Sequence, residues 1–160
     1  MPALPDPALV RIPTQERGMS LFAAQGRDAL RATWREAWRR HRQGLPLEPL
    51  QAQIADVLLL HPEYQDFIAS EPAVLAEFRP EGGRENPFLH LSLHLALREQ
   101  LGTNRPAGIR TLHAALTRRC GSQHEAEHRM IEVLATTLWE AQRAAHAPDE
   151  QQYLEGLRRL

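Results

Sequence analysis

The chain has 160 residues and 42% hydrophobic content, which is enough for one domain with a hydrophobic core. Its formal net charge of −1 at pH 7 gives no reason to expect nucleic acid or a membrane as a partner. No segment approaches the roughly 20 apolar residues of a membrane span. A single cysteine, Cys120, leaves no internal disulfide bond. We therefore predict a soluble cytoplasmic protein that is a monomer or a homodimer.

The first 18 residues differ in composition from the rest of the chain. They carry four prolines and no apolar run of signal-peptide length. We predict a disordered or loosely packed tail over residues 1–18, or a stretch that results from a start codon placed too early. Residues 19–160 are predicted to form a single helical-bundle domain.

Helical spacing of apolar residues begins with "MSLFAAQGRDALRATWREAWRRHRQG", where Leu30, Trp34 and Trp38 share a face. Gly44 and Pro46 end this element. A second helix carries Leu50, Ile54, Val57 and His61 on one face, and Pro62 either kinks it or begins a short third helix, "PEYQDFIA". The loop "RPEGGRE" then separates the two halves of the chain.

Capping residues mark the helices of the second half. Asn86 is a predicted N-cap with Pro87 in the first turn, and Gly102 is the predicted end of that helix. The later elements are a helix from about 107 to 119, the longest helix from a Ser122–Glu125 capping box to about 146, and a short helix after Pro148. No strand-like alternation occurs. The predicted fold class is all-α, an antiparallel helical bundle of about four main helices plus short flanking helices.

Histidines lie on the apolar faces of these predicted helices. In "NPFLHLSLHLALREQ", His90 and His94 are four residues apart and share a face with leucines at about 100° per residue. His124 and His128 repeat this spacing in "HEAEHRMIEVLATTLWEAQ". His61 lies on the apolar face of the second helix. Five of the eight histidines are therefore predicted to point to one interior.

Two explanations suit this pattern. An unpaired buried polar group costs about 1–3 kcal/mol, so five buried rings need partners, and one metal ion satisfies several ring nitrogens together. Zinc, iron or manganese would suit an imidazole-rich ligand set. The alternative is a non-catalytic structural or interaction module whose histidines form a buried hydrogen-bond network. The predicted metal ligands are His61, His90, His94, His124, His128 and Glu132, with Glu63 a weaker candidate.

The sequence does not predict a reaction. "PEGGRE" lacks the lysine and hydroxyl of a phosphate-binding loop, and no nucleotide or flavin motif is present. Cys120 precedes Gly121 at a predicted helix end, but no base is placed beside it by sequence. Catalytic residues, and whether the protein is an enzyme, are left open.

Four strings resemble a bacterial family catalogued as domain of unknown function 1841: "HPEY", "NPFLHLSLHLALREQ", "PAGIR" and "HEAEHRMIEVLATTLWEAQR". The resemblance covers about residues 19–160 and implies a small helical protein with no assigned activity. A looser resemblance, at the level of fold, is to hemerythrin-like metal-binding bundles, which also direct histidine pairs inward.

Overall fold

The computed structural model describes residues 27–70 and 85–160. Seven helices contain 78% of these residues, and no strand occurs among them. The prediction of an all-α, bundle-like fold is confirmed. The predicted tail, residues 1–18, lies outside the described ranges, as does the first part of the first predicted helix. Among the described helices, none combines the length and apolar character that crossing a membrane requires.

Prolines begin three of the helices. Proline suits the first helical position because its missing N–H has no partner inside the helix there. Pro62 therefore begins a separate helix rather than kinking the one before it. The helices are α1 Arg27–Arg42, α2 Pro49–Leu59, α3 Pro62–Ala69, α4 Pro87–Thr103, α5 Ile109–Cys120, α6 Gln123–Arg143 and α7 Glu150–Arg158.

The helix boundaries follow the predicted caps with two corrections. The Asn86 side chain accepts a hydrogen bond from the backbone N–H of Leu89, as expected of an N-cap. Helix α4 continues past Gly102, however, and ends at Thr103 because Asn104 takes the left-handed conformation with φ 52°. Helix α6 ends at Arg143, three residues before the predicted end.

Two hydrophobic cores are built around α4. The first core joins α1, α2, α3 and one side of α4, and the second joins the other side of α4 to α5, α6 and α7. Completely buried side chains fill both cores. Burying each of them stabilises the fold by about 1.5–3 kcal/mol relative to leaving it exposed. They include Trp34, Ile54, Leu58, Ile68 and Leu91 in the first core and Leu97, Ile109 and Met130 in the second.

The two faces of α4 explain where the histidines lie. Leu91 and Leu95 belong to the first core, whereas Leu93 and Leu97 belong to the second. At about 100° per residue, the face that carries the predicted histidine pair of α4 falls between these two stripes. Polar rings on α4 therefore meet the other helices at the junction of the two cores.

Candidate metal centre

Five histidine rings converge at the junction of the two cores. His61 occupies the joint between α2 and α3, and its backbone is the N-cap of α3. Helix α4 supplies His90 and His94, and helix α6 supplies His124 and His128, each pair one turn apart. Contacting rings within this cluster have centroids 4.1–5.5 Å apart. Three separate parts of the chain thus meet at one point.

Four of these rings are close enough together to bind a single metal ion. One nitrogen each from His61, His94, His124 and His128 lies within 4.8 Å of all the others. His61 and His94 are completely buried, whereas His124 and His128 are partly exposed. His90 lies beside this group, with its Nε2 atom 3.2 Å from Nε2 of His61.

Hydrogen bonds on the outer side of two rings fix where their protons lie. His61 Nδ1 donates to the carbonyl oxygen of Val57 at 2.8 Å, since a carbonyl can only accept. His94 Nδ1 donates to the carboxylate of Glu127 at 3.0 Å. Each neutral ring carries one N–H, so Nε2 of both rings has a free lone pair. This is the tautomer in which Nε2 can bind a metal.

Glu127 is a buried carboxylate that the sequence analysis missed. Its Oε2 atom accepts from Arg98 Nε at 3.2 Å as well as from His94, and its Oε1 atom accepts from Gln123 Nε2 at 3.2 Å. Burial raises the pKa of this carboxyl, but the hydrogen bond from His94 and the charge of Arg98 outweigh that effect and lower it to about 2. Glu127 is therefore ionised, and its hydrogen bond to Nδ1 fixes the orientation of the His94 ring.

The predicted ligand Glu132 is not part of the cluster. Its side chain is exposed, as is that of Glu63, and neither belongs to the group of converging nitrogens. Glu132 follows His128 by four residues, which carries it past the edge of the buried face of α6. Glu127 precedes Met130 by three residues and Leu134 by seven, and both of these are buried. That spacing was the signal in the sequence for Glu127.

Burial favours the uncharged form of four of the five rings. It lowers the pKa of His94 to about 4, although the hydrogen bond to Glu127 opposes the change. Burial likewise lowers the pKa of His90 to about 4, against the opposing charge of Glu85, and it lowers the pKa of both His61 and His124. Neutral imidazole, the form that binds metals, is therefore favoured at neutral pH.

Two ring nitrogens of the cluster are buried without a hydrogen bond. These are Nε2 of His94 and Nδ1 of His124, neither of which has a partner among the described residues. An unsatisfied buried polar atom costs about 1–3 kcal/mol. The lone pair of His94 Nε2 belongs to a completely buried side chain, so a cation at the centre of the cluster would satisfy it.

The remaining histidines lie elsewhere. His41 stacks on Trp38 at the end of α1, with ring centroids 5.2 Å apart. His113 is half-buried on α5, and His146 is exposed and contacts the carbonyl oxygen of Ala147. None of the three belongs to the group of converging nitrogens.

A family model described as domain of unknown function (DUF1841) matches residues 26–159. The chain belongs to this family. No curated protein and no solved structure matches it. The match includes all seven helices that the structure describes in this DUF1841 chain and every histidine of the cluster. Because the family description carries no activity, a functional assignment depends on the chemistry of the site.

Proposed function

We propose that the protein binds a transition-metal ion through His61, His94, His124 and His128. The observation that carries this proposal is the unpaired, completely buried Nε2 atom of His94 within a group of four ring nitrogens that lie within 4.8 Å of one another. A metal ion accepts the lone pairs of all four nitrogens and removes the cost of burying them unpaired.

A count of protons favours a metal over a closed hydrogen-bond network. Each neutral imidazole offers one N–H, and those of His61 and His94 are used outside the cluster, on Val57 and Glu127. These two rings present only lone pairs toward the centre. His94 Nε2 receives no hydrogen bond from any described neighbour. Neutral histidines alone therefore leave the network incomplete.

The spacing of the nitrogens fits a shared ion. Two nitrogen ligands about 2.0–2.1 Å from a tetrahedral zinc ion are about 3.3–3.4 Å apart. Nε2 of His61 lies 3.3 Å from Nε2 of His128. All four nitrogens of the group lie within 4.8 Å of one another, so binding an ion would draw the more distant ones closer.

The ligand set indicates the class of metal. Four imidazoles with no thiolate and no carboxylate suit zinc or iron better than calcium or magnesium, which prefer oxygen. The hydrogen bond from His94 Nδ1 to the Glu127 carboxylate would orient the ring and raise the basicity of Nε2. Because His124 and His128 are partly exposed, water or a small substrate would approach the ion from the α6 side. Metal-dependent catalysis and metal sensing both remain compatible with this arrangement.

Elemental analysis of protein purified without a histidine tag tests the proposal. After incubation with zinc or iron(II) and removal of the excess, we expect about one ion per chain. His94→Ala should remove the metal, whereas His113→Ala, which changes a half-buried histidine outside the cluster, should retain it. Less than about 0.2 ion per chain in the unsubstituted protein would contradict the proposal.

The alternative function is a non-catalytic interaction module with a buried histidine network. The contacts of His61 Nε2 with Nε2 of His90 and of His128, at 3.2 and 3.3 Å, favour it because both lie within hydrogen-bond distance. Because Nε2 of His61 carries a lone pair, this network requires a proton on Nε2 of His90 or of His128. A metal-free result in the experiment above would leave this network as the explanation of the cluster.

A further inference from the structure

A line of polar contacts runs from the surface to His90. The hydroxyl of Tyr64 donates to Oε2 of Glu85 at 2.6 Å, and the other carboxylate oxygen of Glu85 lies 3.1 Å from Nδ1 of His90. On its inner side, His90 places Nε2 3.2 Å from Nε2 of His61. Helix α3 and the residue that precedes the N-cap of α4 thus meet at one imidazole.

We propose that Glu85 and Tyr64 are positioning residues that make His90 a fifth ligand of the metal. Glu85 holds the His90 proton on Nδ1 and so directs the lone pair of Nε2 to the ion, while Tyr64 holds Glu85. This inference rests on the proposed metal site. It adds to that site a ligand that does not belong to the group of four converging nitrogens.

The facing nitrogens of His61 and His90 support this role. His61 uses its proton on the carbonyl of Val57, and a carboxylate beside Nδ1 of His90 draws that ring's proton outward. Two lone pairs then face each other across 3.2 Å, which is repulsive unless a cation binds both. Nitrogens that share one metal ion have about this separation.

The surroundings of Glu85 point to orientation rather than stability. Its side chain is 62% exposed, and exposed ion pairs contribute only about 0–1 kcal/mol. The Tyr64 ring packs parallel to His61 with centroids 5.8 Å apart, and edge-on to His90 with centroids 5.7 Å apart. Tyr64 thereby contacts both rings whose nitrogens face each other while its hydroxyl fixes the carboxylate.

A fifth imidazole also changes the preferred metal. Structural zinc sites are almost always tetrahedral with four ligands. Five nitrogen ligands exceed that number, so the complete cluster favours an ion with a higher coordination number. Iron(II) is one of the imidazole-binding metals that fit this requirement.

Nitrogen NMR of the metal-free protein tests the tautomer directly. Two-bond nitrogen–proton spectra at about pH 7.5 should show His90 mainly with its proton on Nδ1. Glu85→Ala should shift this ring toward the other tautomer. Glu63→Ala is the matched control, since it removes the same charge from an exposed glutamate beside Tyr64 without removing a contact to His90, and it should leave the tautomer unchanged.

Cobalt(II) titration tests ligation, with the visible spectrum as the readout. The unsubstituted protein should give the weak absorption of five- or six-coordinate cobalt. Glu85→Ala should bind cobalt about tenfold more weakly, with a spectrum shifted toward the stronger absorption of four-coordinate cobalt. Tyr64→Phe should change both in the same direction by less, and Glu63→Ala should stay within about twofold.

The outcomes separate this inference from the proposed function. If the unsubstituted protein binds no cobalt, zinc or iron, the metal site itself is wrong and His90 is not a ligand. If it binds metal but Glu85→Ala behaves like Glu63→Ala in both tautomer and spectrum, the metal site stands and the positioning role is overturned. A His90 ring that carries its proton on Nε2 in the unsubstituted metal-free protein would also overturn it.

Discussion

His94 and Glu127 form a completely buried hydrogen bond between α4 and α6, with 3.0 Å between Nδ1 of the ring and Oε2 of the carboxylate. A buried charge needs compensation, and Arg98 supplies it at 3.2 Å from the same oxygen. The pair fixes the ring of His94 so that Nε2 faces the histidine cluster. The stability of the helix packing and the geometry of the candidate site therefore depend on the same contact.

Glu127→Gln should weaken both properties. Loss of the charge leaves Arg98 without its ionic partner and makes the acceptor of His94 weaker, so the free energy of unfolding of the metal-free protein should fall by about 1–3 kcal/mol. Metal affinity should fall by about 10–100-fold because the ring is less well oriented. Urea unfolding measures the first change, and titration in competition with a chelating dye measures the second.

The control is Glu132→Gln, an identical change five residues further along α6. Glu132 is exposed and outside the converging group, so this variant should keep both the stability and the metal affinity of the parent protein. An effect of Glu132→Gln equal to that of Glu127→Gln would contradict the assignment of Glu127 as the carboxylate of the site.

The sequence predicted which helix faces carry the histidines because helical periodicity is a local property. His90 and His94 share a face whatever surrounds them, and the same holds for the pair on α6. Periodicity does not give the rotation of each helix against its neighbours. Glu132, one turn beyond His128, was therefore predicted instead of Glu127, which lies on the same helix face as the buried Met130 and Leu134.

Local sequence patterns do not predict contacts between distant segments. Glu85 meets Tyr64 from 21 residues away, and Glu127 meets His94 from 33 residues away. Such pairs depend on the packing of α3 and α6 against α4, which no local pattern specifies. The end of α4 shows a smaller limit, because Gly102 and Asn104 are both residues that favour a helix C-terminus and only the structure distinguishes them.

Gly156→Ala should destabilise the contact between α6 and α7. A methyl group added at Gly156 would lie 2.7 Å from Cγ1 of Val133, closer than real side chains approach. Val133 is β-branched and stiff at χ1, so the helices must shift, and overpacking of this kind typically costs about 1–3 kcal/mol. Urea unfolding of the metal-free variant measures the loss, which should exceed the gain of about 1 kcal/mol that alanine brings to a helix.

Gly102→Ala provides the matched control within α4. An added methyl group there has no atom within 4 Å, so the variant should gain about 0.5–1 kcal/mol from helix propensity alone. Combining Gly156→Ala with Val133→Ala should recover stability relative to Gly156→Ala, because the clashing methyl group is gone. Stabilisation by Gly156→Ala alone would show that α7 does not pack on α6 this closely.

The stability of the metal-free protein should fall as the pH drops from about 6.5 to about 4. Burial lowers the pKa of His94 to about 4, whereas an unfolded histidine titrates near 6.5. Between these values the unfolded chain binds more protons than the folded chain, so the free energy of unfolding rises with pH. The pKa of Glu127, about 2, affects stability only at lower pH, from about 4.5 downward.

Urea unfolding at about pH 7.5 and about pH 5 measures this dependence. His94→Phe should reduce the difference between the two pH values, since it removes one of the buried groups that must gain a proton. His146→Ala should leave the difference unchanged because that ring is exposed. Equal stability of the metal-free protein at both pH values would contradict the prediction that these histidines are buried in their neutral form.

A chelator should lower the melting temperature of the metal-loaded protein at neutral pH. An ion that binds only the folded chain adds stability of RT ln(1 + [L]/Kd), about 2.7 kcal/mol when its concentration is a hundred times Kd. Protons compete for the same ring nitrogens, so the chelator effect should shrink in acid. His128→Ala should abolish it by removing one of the four converging nitrogens, whereas His146→Ala should keep it in full. If the chelator leaves the melting curve unchanged, metal analysis after dialysis distinguishes an ion that is kinetically trapped from one that never bound, and the second result would contradict the metal site.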